Sequence, residues 1–171
     1  IQLCFDICHY GVSFDGPKTS IAELKAKNIP VGKIQISSAL RVDLRNQEAE
    51  KIEELKKYQE PVYLHQVKAL RKDGTYQEFK DLDEAFEAYK PETYDEWRVH
   101  FHVPLFLETY GLLESTQQEI RETMEIQMKS PFTRHLEIET YTWGVLPSAY
   151  QLPMADSISR EIKTITDLLG L

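Results

Sequence analysis

No stretch of this sequence approaches the roughly 18 consecutive apolar residues that would cross a membrane as a helix, and no signal-peptide pattern opens it. There is no low-complexity segment and no internal repeat. Cysteine is scarce. Only Cys4 and Cys8 occur, one inside a strand-like run and the other just past it, which suits reduced thiols in a cytoplasmic protein better than a disulfide framework. Positive charge is in deficit: 20 Lys and Arg stand against 28 Asp and Glu, a net charge of -8. An acidic surface repels phosphate backbones, so nucleic acid is not an expected partner. The rest is ordinary for a globular chain, with 42% hydrophobic, 28% charged and 11% aromatic residues. The length of 171 residues fits one domain, but falls short of the about 250 residues of a complete (β/α)8 barrel. Ile1 leads straight into an apolar run with no Met before it, so a piece of a longer chain is expected.

Strand-like and helix-like segments alternate. Gln2 to Ile7 reads as a strand. Ser20 and Glu23 have capping-box spacing ahead of a short helix ending near Asn28. Val31 to Ser37 is the next strand. Asn46 to Tyr58 is a charged helix with Ile52 and Leu55 as its apolar stripe, stopped by Pro61. Residues 62–80 break the alternation, because two strand-like runs flank Asp73-Gly74, a strong hairpin signal. A helix from Asp81 to about Tyr89 follows, then a strand from Arg98 to Leu105. Thr116 and Glu119 open a helix reaching about Lys129. Leu136 to Tyr141 is the last strand, and Ile158, Ile162, Ile165 and Leu169 mark a closing amphipathic helix. Strands joined by helical crossovers imply a parallel sheet. The expected fold is α/β: four consecutive βα units, half of a TIM barrel, with one inserted hairpin, in a single domain.

Side chains alternate across a strand. Asp6 and Cys4 share one face of the first strand, opposite Leu3 and Phe5. Lys33 and Gln35 oppose Ile34 and Ile36. His100 and His102 oppose Val99, Phe101 and Val103. Glu137 and Glu139 oppose Leu136 and Ile138. Buried parallel strands normally read apolar on both faces, so four polar faces point to a wet or metal-filled interior. Asp, His, Gln and Glu together suit a divalent cation such as Mn, Mg or Zn. Each residue also has a plainer reading. Asp6 can cap a helix, His100 and His102 can be satisfied core histidines, Gln35 can be a core hydrogen bonder, and Glu139 can pair with Arg98 or Lys33. His65 and His135 read as surface or loop residues, and both cysteines as unreactive.

FDICH at 5–9, KIQISSAL at 33–40, YLHQV at 63–67, RVHFHVP at 98–104 and EIETYTW at 137–143 resemble xylose-isomerase-like TIM barrels. That superfamily includes sugar-phosphate isomerases and epimerases, and these motifs are most similar to the EboE-type metabolite-traffic family of bacteria. The resemblance implies a metal site on strands five to eight, with Asp6, His9, Gln35, His100, His102 and Glu139 at the ligand positions. Gln35 stands where endonuclease IV relatives carry His, and His100 where an Asp is usual. In an isomerase, a carboxylate or imidazole base would move the proton, with Glu139 and Asp6 holding the ion, His100 and His102 binding it or shuttling protons, and Lys33 or Arg98 neutralising an enolate or phosphate. Two alternatives remain: a non-catalytic metabolite-binding protein on the same scaffold, and an endonuclease IV-like repair enzyme, against which the acidic balance and Gln35 both argue. Half a barrel would need closure, either by its missing N-terminal half or as a homodimer.

Overall fold

Residues 1–171 are described by a computed structural model. The first half runs β1 (Leu3–Asp6), α1 (Ile7–Val12), α2 (Pro17–Ala26), β2 (Val31–Ile36), β3 (Ala39–Asp43), α3 (Glu48–Leu55), β4 (Val67–Arg71) and β5 (Tyr76–Phe79). The second half runs α4 (Leu82–Ala88), β6 (Tyr94–His102), β7 (Thr109–Tyr110), β8 (Leu113–Ser115), α5 (Gln117–Lys129), β9 (Leu136–Ile138) and α6 (Met154–Leu169). No helix is long and apolar enough to cross a membrane.

Two sheets form. The first is parallel, in the order β1-β2-β9, with Asp6 beside Gln35 and Ile36 beside Ile138 in register. Its apolar face carries Phe5, Ile34 and Ile36, packed with Ile21 of α2, Ile120 and Met124 of α5, and Ile165 of α6. Each such side chain, fully buried, contributes about 1.5–3 kcal/mol. The second sheet is antiparallel, in the order β5-β4-β6-β3-β8-β7, over a larger core. There Trp97 is fully buried and ringed by Phe79, Phe86, Tyr89 and Tyr94.

The α/β class therefore holds, but four consecutive parallel strands do not form. Arg98 to Leu105, read as the third βα strand, lies largely in β6 and pairs antiparallel with both β3 and β4. The cause lies just past β2. The chain turns at Ser37-Ser38 into a further strand whose Leu40 and Val42 need burial, and β6 meets it with Val99 and Trp97 in register. Arg41 locks that contact by bonding Glu96 at 2.9 Å and Glu114 at 2.6 Å from neighbouring strands. Alternation along β6 tells which side chains share a face, but not in which direction its neighbours run.

Three further expectations are corrected. The 62–80 hairpin does not stand apart, because β4 pairs with β6 and makes the hairpin the edge of the antiparallel sheet. Its Gly74 takes φ +81°, a left-handed turn position, and Asp73 accepts hydrogen bonds from Thr75 N at 2.9 Å and Oγ1 at 2.6 Å. The capping-box residues do other work. Pro17 starts α2 and Ser20 lies inside it, whereas Thr116 does stand at the N-cap of α5, as expected, but its hydroxyl accepts a bond from Ala39 N at 2.9 Å instead of capping the helix. Finally, α6 buries Ser157, Glu161 and Ile165, leaving Ile158 44% and Ile162 51% exposed. The buried carboxylate of Glu161 decides that rotation by accepting bonds from Leu105 N at 3.0 Å and Thr140 Oγ1 at 2.8 Å.

Candidate metal centre

The polar side of the parallel sheet gathers at the C-terminal ends of its strands. Asp6 ends β1 and caps α1, accepting bonds from Cys8 N at 3.0 Å and His9 N at 3.4 Å. Ser37 Oγ donates to the same Asp6 oxygen at 2.8 Å. Glu139 follows β9 and is held by its N–H on Ile36 O at 3.0 Å. The Gln35 amide lies between the two carboxylates, donating to Asp6 Oδ2 at 3.0 Å and also to Glu139. Neither carboxylate has a Lys or Arg partner. Only His9 approaches Asp6, with Nε2 at 3.9 Å. Burial raises the Glu139 carboxyl above its ordinary pKa, and the negative charges of Asp6 and Glu137 add to this.

The imidazoles approach from the other sheet. His100 and His102 close β6 on the same face, with their Nε2 atoms 3.1 Å apart. His102 Nδ1 lies 3.1 Å from the Glu139 carbonyl. That carbonyl can only accept, so Nδ1 carries the proton and Nε2 of the neutral ring keeps its lone pair. The His9 ring lies 4.3 Å from that of His100. Burial, together with the neighbouring His102 and His9, lowers the His100 pKa to about 4. Burial lowers that of His102 as well. Both are therefore neutral near pH 7, the form in which imidazole ligates metals.

Asp6, Gln35 and Glu139 thus meet in one contact group and His9, His100 and His102 in another, the two touching through His9 and Asp6 and through the Glu139 carbonyl, with the histidine pair arriving on an antiparallel strand. Lys33 and Arg98 do not join them. Lys33 Nζ bonds Glu137, nearer the opposite end of the strands. Arg98 bonds Glu96 at 2.7 Å, Glu119 at 2.9 Å and Gly11 O at 2.6 Å, and its guanidinium lies 4.1 Å from the Phe14 ring centre. Its role is to join the two sheets. His65 is buried rather than on the surface. It lies between Glu60 at 3.3 Å and Asp81 at 3.8 Å and stacks on Phe101, with its pKa lowered by burial.

One group that the sequence reads as unreactive lies beside the imidazoles. The Cys8 thiol is fully buried, and its sulfur and the His100 and His102 ring nitrogens lie within 4.8 Å of one another. Strand alternation could not reveal this, because the chain becomes helical immediately after Asp6. A cleft of about 460 Å³ opens beside the cluster, lined by His9, Ser13, Lys68, Phe79, Lys80 and His100 among others. No family model, curated protein or solved structure matches the chain.

Proposed function

We propose that this protein binds a divalent ion at the Asp6–Glu139–histidine cluster and acts on a small metabolite, as a sugar-phosphate isomerase or epimerase would. The observation that carries this reading is the pair of carboxylates, Asp6 and Glu139, sharing one Gln35 amide and lacking any Lys or Arg beside three imidazoles. Clustered carboxylate charge of this kind calls for a cation. Asp6, His9, His102 and Glu139 supply hard oxygen and borderline nitrogen donors, which fit Mn, Mg or Zn. A bound ion would polarise a substrate oxygen. The metabolite enters by the cleft beside His9 and His100, where Lys68 and Lys80 stand in the cation role first given to Lys33 and Arg98. Glu139, its carboxyl pKa raised, takes the proton next to the carbonyl and returns it to the neighbouring carbon.

The three parallel strands are read as one wall of a TIM barrel. The outer edges of β1 and β9 are open and invite a further strand, from a second copy of the chain in a homodimer or from a preceding half. The place of action is proposed as the cytoplasm.

A second reading is a non-catalytic metabolite carrier. Gln35 favours it, because its amide occupies both carboxylates and must turn aside before an ion can use them. Equilibrium dialysis followed by elemental analysis tests the common core of both readings. Wild type should retain one divalent ion per chain and Glu139→Ala should lose it; equal retention by the variant refutes the site. Deuterium uptake from solvent water into aldose or ketose phosphates then separates enzyme from carrier.

A further inference from the structure

We infer that Cys8 is itself a metal ligand, forming with the imidazoles of His100 and His102 a sulfur-and-nitrogen face that selects a thiophilic ion, zinc above all, over magnesium and manganese. This deepens the reading above and rests on it for the presence of an ion. The two Nε2 atoms are 3.1 Å apart, near the about 3.3 Å that two metal–nitrogen bonds of roughly 2.0–2.1 Å span at a tetrahedral centre. The bond from His102 Nδ1 to the Glu139 carbonyl is the outer contact that commonly orients a ligating imidazole.

Cys8 is placed with equal care. Its N–H is shared by Asp6 Oδ1 at 3.0 Å and Ser37 Oγ at 3.1 Å, which fixes the first turn of α1 and with it the origin of the side chain. The sulfur lies fully buried within 4.8 Å of a ring nitrogen of each histidine, so a modest approach of the three groups completes the face. Soft sulfur discriminates against the hard ions that prefer all-oxygen sites. Binding forms a sulfur–metal bond and releases the thiol proton to bulk water past the exposed His9; no electrons are transferred.

Cobalt(II) titration of the metal-free 171-residue chain tests this, using Cys4→Ser so that Cys8 is the one remaining thiol. The expected result is stoichiometric binding with an intense near-ultraviolet sulfur-to-cobalt charge-transfer band, abolished by added zinc and insensitive to excess magnesium. In Cys8→Ser, zinc affinity should fall by at least the roughly 10-fold to 100-fold that loss of a mere supporting partner costs. Bound cobalt showing only visible d–d bands overturns the thiolate assignment and leaves the carboxylate–histidine site standing. Absence of cobalt and zinc binding overturns both. If Cys8→Ser fails to fold, the Cys4→Ser spectrum still decides.

Discussion

Arg98 is the sharpest test of how the two sheets are held together. It stands on β6 of the antiparallel sheet, yet its guanidinium reaches Gly11 O in α1 and Glu119 in α5, both belonging to the parallel unit. In Arg98→Ala, Glu96 keeps Arg41 at 2.9 Å, but Glu119 loses its one ion-pair partner. Burial already raises the Glu119 carboxyl, with Arg98 pulling it down, so removing the cation leaves a buried charge uncompensated. Breaking a buried pair costs about 3–5 kcal/mol. The side chains of Arg98 and Glu119 are 15% and 14% exposed, so some water reaches them, and the lower bound of about 3 kcal/mol is the better figure. For a chain of this length each kcal/mol shifts Tm by about 2–4 °C, so a drop of roughly 6–12 °C is expected. Circular-dichroism melting at pH 7 measures it. Arg98→Ala combined with Glu119→Gln should recover part of the loss, because the orphaned charge is gone. A drop below about 2 °C, or a double variant losing the full sum of the singles, would refute this account of the junction.

The stability should also respond to pH through Glu161. Burial raises its carboxyl pKa, so the folded state holds that proton more tightly than the unfolded chain. This favours folding below the ordinary carboxyl range and is lost as pH rises through the folded pKa. The Tm of wild type minus that of Glu161→Gln should therefore grow as pH falls from neutral to about 4; a constant difference would contradict the assignment. Gly74→Ala, at φ +81°, should cost on the order of 1 kcal/mol by urea unfolding, and a neutral result would mean the turn readjusts. Open strand edges and the exposed Ile158 and Ile162 of α6 predict a dimer by light scattering. Ile158→Glu should shift it towards monomer if that stripe lies in the contact, and a stable wild-type monomer would refute the closure argument.

Local patterning along the chain determined which side chains share a face. Phe5, Ile34 and Ile36 went to the helices, as alternation required, while Asp6 and Gln35 went to the opposite side. Asp73-Gly74 determined a turn, since few other pairs tolerate that backbone. The tertiary structure decided the rest, for reasons of distance along the chain. The direction of β6 depended on β3, more than fifty residues earlier, and strand periodicity carries no record of a partner's direction. Lys33 and Arg98 looked available for chemistry because their acceptors, Glu137 and Glu119, are remote or lie on another element. The apolar stripe of α6 predicted a buried face; Ile165 and Leu169 do pack on the core, but the buried Glu161 carboxylate with two donors leaves Ile158 and Ile162 outside it. Cys8 came to the histidine pair only because α1 begins at once after Asp6, a contact across some ninety residues that needed both sheets in place.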